Sequence, residues 1–178
     1  MRKVDVNMEK ERVSKIVTVT VVERPARKLI LQHAKKTTGG NYFDYCEEMG
    51  CEWYELLNNI PEKLDHVALL TLPTKLITLG TTDTAAGVEV PIDYAKPIPI
   101  GYDIIDLPPC SMLFFQGMPF EDDKDYGQAI DIIEQAIISY QAEQYGFIYV
   151  PDLAPHFNFG ASSKTGAKKA VPVTRLIN

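Results

Sequence analysis

Two stretches of this chain have the same form: VVERPARKLIL, from Val21 to Leu31, and IIDLPPCSMLFF, from Ile104 to Phe115. In each, an apolar strand runs into a proline corner and leaves it as a second apolar strand. Pro25 corresponds to Pro108, Ala26 to Pro109, and Leu29, Ile30 and Leu31 to Met112, Leu113 and Phe114. Proline has no N–H to give to a strand ladder, so each corner interrupts one. A helix-like segment follows each corner, at roughly residues 41–60 and 125–145, and each half closes on a strand ending in Val-Pro, in GVEVP and in KAVPV. The unit is strand-strand-helix-strand-strand, used twice. At about 80 residues it is far too long for a solenoid, whose repeats run about 20–50.

These features predict an α+β fold in one domain over residues 15–178, made of two internal repeats at about 16–91 and 101–177. Residues 1–14 read as a frayed N-terminal arm. The run IDYAKPIPIG joins the repeats as a stiff extended crossing. A chain of 178 residues that is 46% hydrophobic can bury one good core. The net charge of −6 argues against nucleic acid, whose phosphates need a basic face. No apolar run approaches the ~18 residues of a membrane span, and the N-terminus lacks the apolar centre of a signal peptide. With three cysteines, odd in number and unlike a disulfide framework, these observations point to the cytoplasm.

Ile16 to Glu23 alternates apolar and polar residues as a β-branched strand does. The first helical segment places Tyr42, Cys46, Met49, Trp53, Leu56, Leu57 and Ile60 on one stripe, interrupted by Gly50 and stopped by Pro61. On a continuous helix Cys46 and Cys51 lie about 140° apart at ~100° per residue and face different ways, which excludes a metal or redox pair. In the second segment Tyr126, Ile130, Ile133, Ile137 and Tyr140 form an apolar face that reads as core. The acidic run Glu121, Asp122, Asp123 and Asp125 sits where anions oppose a helix dipole. GASSKTGAKK lacks the ending of a phosphate loop and reads as a solvated hairpin loop bearing Lys164, Lys168 and Lys169. His33, His66 and His156 lack ligand spacing, so neither a metal nor a cofactor is expected. The only two good helices are too far apart in sequence for a helix-turn-helix, and no direct DNA contact is expected of this chain.

Taken together, VVERPARKLIL, GVEVP, DLPPCSMLFFQG and VPVTRLI resemble the gyrase-inhibitor-like (GyrI-like) family, the effector-binding domain also found in AraC-type regulators. The resemblance covers roughly residues 17–177. It implies strand-helix-strand-strand modules related by a pseudo-twofold axis, with antiparallel sheets, helices outside, and a hydrophobic ligand cleft between the halves. It further implies binding of bulky, aromatic or cationic small molecules by a stand-alone sensor, a sequestering protein or an effector module of a transcription regulator, acting alone, as a homodimer or with a protein partner.

Many members of the family end the third strand of their second half with a phenylalanine-glutamate pair whose acid balances a cation. Here HFNFG places Phe157 and Asn158 there, and a neutral amide orients a ligand without balancing a buried charge. Glu89 is the other candidate acid: if Val88 and Val90 contact the helices, Glu89 points to the cleft side, the alternative being a solvated strand residue. Trp53, Tyr94, Phe114, Tyr149 and Phe157 are the expected aromatic lining, each equally suited to plain core. Two further readings are a hydrolase of strained electrophilic molecules with Glu89 as general base, and a protein-binding inhibitor of the gyrase-inhibitor type.

Overall fold

The computed structural model describes residues 12–177. Residues 1–11 of the expected arm lie outside them, and Val13 is buried in the apolar cluster that holds Leu113, Phe115 and Ile133. The strands are β1 (Val17–Arg24), β2 (Arg27–His33), β3 (Ala68–Thr71), β4 (Thr84–Pro91), β5 (Asp103–Leu107), β6 (Cys110–Gly117), β7 (Phe147–Tyr149), β8 (His156–Ser162) and β9 (Gly166–Arg175). The helices are α1 (Tyr42–Met49), α2 (Glu52–Asn58) and α3 (Tyr126–Ser139).

The expected helix over residues 41–60 is two helices. Gly50 takes a φ of 82°, a left-handed value that glycine accepts without a Cβ penalty, and donates its N–H to the carbonyl of Cys46 at 2.9 Å. The second expected helix stops at Ser139, and a 3-10 turn at Ala142–Tyr145 follows. Strand β7 has no counterpart in the sequence reading: three residues are too few for an alternation to be visible.

Separate sheets give way to one. All strands pair antiparallel in the order β1-β6-β9-β8-β3-β4-β2-β5, with β7 beside β9. Strands β1 and β2 are joined directly through the Pro25 corner, yet β1 sits at one end of this order and β2 near the other. The sheet therefore curls until the two proline corners meet. Leu29 and Leu31 of β2, Leu70 of β3, Met112 and Phe114 of β6, Phe157 of β8 and Ala170 of β9 then form a closed apolar core on one face.

The opposite face carries the helices. Ile30, Val88 and Val90 pack with Tyr45, Trp53 and Leu57 of α1 and α2, while Leu113, Phe115 and Val171 pack with Ala129 and Ile133 of α3. This is the strand alternation at work, since neighbouring residues serve opposite faces. No helix among the described residues is long and apolar enough to cross a membrane.

The acidic run before α3 caps turns, not the helix itself. Asp122 accepts the Lys124 N–H and Asp123 accepts the Ser163 N–H, each at 2.9 Å, whereas Asp125 makes no side-chain cap on α3.

Glu48 clamps the entry to α1. Its carboxylate accepts the N–H groups of Lys35 (2.7 Å), Lys36 (3.0 Å) and Thr37 (2.7 Å) and the Thr37 hydroxyl (2.8 Å). Burial pushes this carboxyl up, but the donors win and hold it down at about 2, against an ordinary 4.5. A depressed folded pKa stabilises fully above the unfolded value and loses that contribution as pH falls from about 4.5 towards 2. Glu48→Gln is expected to cost about 1 kcal/mol at neutral pH, after allowance for solvent around a half-buried carboxylate. Urea titrations at neutral pH and at pH near 3 check this: the difference between wild type and variant shrinks in acid.

Candidate functional site: an aromatic groove on the helical face

Where β3 meets β8, the sheet lies between the two helical layers: Leu69 of β3 is buried with Trp53 and Leu57 of α2, and α3 reaches β8. Leu69 pairs with Asn158 and Thr71 with His156, and these four side chains share the helical face by strand alternation. Two adjoining depressions open here, of about 560 and 820 Å³, sharing Tyr42, Phe43, Leu69, Tyr126 and Asn158 in their walls. The first runs along α3 past Ile130, Asp131, Glu134 and Ile137, and the second runs past Trp53, Tyr54, His66 and the β8–β9 hairpin.

Tyr42, Phe43, Trp53 and Tyr126 gather their rings in the walls. Phe43 of α1 meets Tyr126 of α3 edge-on with centroids 6.2 Å apart, so one ring pair spans the gap between the two helical layers. Tyr42 packs edge-on to both Phe43 (5.5 Å) and Trp53 (6.3 Å). Phe43 is 68% exposed, so its ring is open to a ligand in the groove. Burial, then the neighbouring Cys46 thiol, push the Tyr42 hydroxyl up to about 12, and burial also raises that of Tyr126, so both stay neutral. The indole Nε1 of Trp53 is buried without a hydrogen-bond partner among the described residues.

Most charges of the rim have partners, while Asp131 is exposed and makes no ion pair among the described residues. Lys169 Nζ lies 2.5 Å from Glu134 Oε1, and Asp123 holds the hairpin through Ser163. Asn158 spends its Oδ1 on the Gly160 N–H at 2.9 Å, leaving its Nδ2 as a donor. Among the described residues no three side chains of the metal-ligating types converge.

The candidate residues divide between the two faces. Trp53 and Asn158 reach the groove. Phe157 borders it, but its ring lies in the closed core of the other face. Phe114 is also there: Phe114, Phe159 and Phe157 stack in series, with centroids 5.8 and 5.7 Å apart. The cations that such a stack attracts come from the chain itself. Lys168 Nζ lies 4.5 Å from the Phe159 centroid and 5.0 Å from that of Phe114, and the Arg24 guanidinium lies 5.2 Å from Phe114. Asp65 holds both, with Arg24 Nη2 at 2.5 Å and Lys168 Nζ at 3.2 Å. Lys168 and Lys169 thus belong to β9 and its ion pairs, not to a solvated loop.

Tyr94 packs beside the core under α1 and α2, and Tyr149 donates its hydroxyl to the carbonyl of Ile137 at 3.2 Å, at the end of α3. Neither lines the depressions.

Glu89 faces away from the helices, as the alternation requires, and is 4% exposed, which removes the solvated alternative. It is buried against Arg27, itself fully buried, whose Nε donates to the Glu89 carboxylate. The Arg27 Nη1 donates to the carbonyls of Pro108 (2.7 Å) and Pro25 (3.4 Å) and Nη2 to Cys110 Sγ (3.6 Å). The pair ties the two proline corners together. A carboxylate so engaged, outside both depressions, is not placed to activate water for a groove ligand.

Phe43, Tyr42 and Tyr126 are the site residues that the sequence reading did not single out. Their one signal is Phe43 itself, an aromatic standing next to the apolar stripe of its helix and off it.

No protein-family model matches the sequence, and no curated protein matches it. Among solved structures, the fold is similar to that of SAV2435 bound to tetraphenylphosphonium, with a TM-score of 0.52 and 16% identity over 88% of this chain and 94% of that one. Looser overlaps occur with a protein of Staphylococcus aureus MU50 assigned to bacterial transcription regulation (TM-score 0.47, 14% identity, 88% of this chain and 98% of that one) and with EcmrR in a DNA complex (TM-score 0.48, 9% identity, 92% and 59%). The chain therefore shares the fold of SAV2435.

Proposed function

We propose that this protein is a binding module for a bulky aromatic small molecule, held in the groove between α1 and α3. The observation that carries the reading is the Phe43–Tyr126 pair, with Tyr42 and Trp53 behind it, set over the β3–β8 seam between the two helical layers. Rings stack on such walls with about 0.5–1.5 kcal/mol per pair beyond area burial. SAV2435, of the same fold, is bound to tetraphenylphosphonium, which supports a polyaromatic ligand here. The strand order, which reads alike from either end, supports descent from a duplicated unit, with the groove lying on the seam between its two copies. The module then serves as a sensor, a sequestering protein or the effector domain of a regulator.

Charge is a weak discriminator in this groove. The seam carries Asn158 in place of an acid, the Glu89 carboxylate belongs to Arg27, Glu134 is paired with Lys169, and Asp131 is exposed, where water and salt screen it. Tetraphenylphosphonium and its neutral counterpart triphenylphosphine oxide are expected to bind within about tenfold of each other, a difference of ~1.4 kcal/mol. Trp53 fluorescence titration measures both. Phe43→Ala and Tyr126→Ala are each expected to weaken both ligands about tenfold, whereas Glu89→Gln leaves the affinity of the folded protein unchanged. A cation preference above a hundredfold that Glu89→Gln abolishes would overturn this account of the site, and no binding of either compound would overturn the binding reading itself.

A further inference from the structure

The two ends of the sheet are built differently. Strand β5 carries the devices that keep an end strand from pairing: it is five residues long, Asp103 and Asp106 on it are exposed, and Pro108 follows it. Strand β1, at the other end, has none of them before Glu23. It runs eight residues without proline, glycine or bulge, and its ladder with β6 keeps one register from Val17↔Gly117 to Arg24↔Cys110. Among the described residues no strand pairs with its outer side, so the backbone groups turned that way have no ladder partner. From Val17 to Val22 every side chain is β-branched, which suits a further pleated neighbour. Thr18, Thr20 and Val21 are exposed, and Val17, Val19 and Val22 are only half-buried although each packs on a core cluster.

We propose that β1 is the interface between two copies of this chain, which pair antiparallel through it so that one sheet continues across both. The strand is complementary to its own reverse in one register, with Val19 on the two-fold axis. Val17 then stands opposite Val21, Thr18 opposite Thr20, Ile16 opposite Val22, and Val19 opposite itself. Apolar meets apolar and hydroxyl meets hydroxyl, the pairings that stabilise an antiparallel ladder. Lys15 falls opposite Glu23, whose carboxylate is mostly exposed and also serves Ser111 and Arg175 of its own copy. Moving the axis to Thr20 sets Val17 against Glu23 and Thr18 against Val22, and moving it to Thr18 sets Ile16 against Thr20 and Lys15 against Val21, so both neighbouring registers lose the match. An axis perpendicular to the sheet keeps each face on its own side, and Val17, Val19 and Val21 of both copies extend the apolar surface beside α3. Such a contact is isologous and closes at two copies. Strands β6 and β9 separate it from β8, and the groove stays open in the pair.

Sedimentation equilibrium of the full chain across the micromolar range is expected to give a mass near twice the 20.0 kDa of one copy. Two double variants at the exposed Thr18 and Thr20 test the register, and circular dichroism checks that each is folded. Thr18→Lys with Thr20→Lys sets Lys against Lys on both sides of the axis and is expected to sediment as a monomer. Thr18→Glu with Thr20→Lys sets Glu against Lys at the same places and is expected to pair at least as tightly as the wild type. A wild-type protein that stays at 20.0 kDa throughout overturns the proposal. A dimer indifferent to both double variants overturns it too, because the contact then lies elsewhere. So does growth beyond two copies, which would mean that β1 pairs with a different strand and not with itself. All of these readouts are independent of whether any ligand binds.

Discussion

Arg27→Met is expected to lower the unfolding free energy by about 3–5 kcal/mol, because it strands the Glu89 carboxylate in a core that excludes water. That is a large share of the ~5–15 kcal/mol typical of a domain, and urea denaturation at neutral pH measures it directly. The pair sits where the corners meet: Arg27 opens β2, Glu89 lies opposite Leu29 in the β2–β4 ladder, and the guanidinium reaches the carbonyl of Pro108 across the molecule. Glu89→Gln is expected to be milder, since the amide still accepts from Arg27 Nε. The double variant Arg27→Met with Glu89→Leu should recover most of the loss, because matched apolar groups replace a buried ion pair at little cost. An Arg27→Met protein within 1 kcal/mol of wild type would show that water reaches the pair after all.

Gly166→Ala carries the second large effect, roughly 3 kcal/mol or more. Gly166 holds a φ of +79°, and a Cβ there would lie 2.4 Å from the Gly117 carbonyl oxygen and 2.9 Å from that of Met118, both rigid backbone. The left-handed conformation costs an alanine ~1–2 kcal/mol, and the overlap adds ~1–3 kcal/mol. Gly160 separates the two contributions: its φ is +78°, yet a Cβ would meet nothing within 4 Å. Gly160→Ala should therefore show the conformational part alone. Equal losses for the two variants, read from thermal unfolding, would remove the steric argument for Gly166.

Much of the strand content was legible because alternation is a local signal. Val17 to Glu23 lies on β1 and GVEVP on β4, and the two proline corners fall at the breaks between β1 and β2 and between β5 and β6. The side to which Glu89 turns followed from Val88 and Val90 alone. What that side contains did not, because it depends on β6, β8 and β9, remote in sequence, curling over β2 and β4. For the same reason the closed core claimed Phe114 and Phe157, two of the expected lining residues. Helical period cannot say whether a stripe is covered: Tyr126, Ile130 and Ile137 share the apolar face of α3 with Ile133, yet only Ile133 among these four is fully covered while the other three border the groove.

The exchange of strands at the proline corners has a topological consequence. Strand β6 is bordered on its outer side by β1, and β2 by β5, so each portion of the chain supplies the strip that seals an open edge of the other. Severed in the exposed connection between β4 and β5, either fragment alone would present a row of unpaired backbone groups on an apolar strand, a template for aggregation. The two fragments together would still interlock through the β1–β6 and β2–β5 ladders.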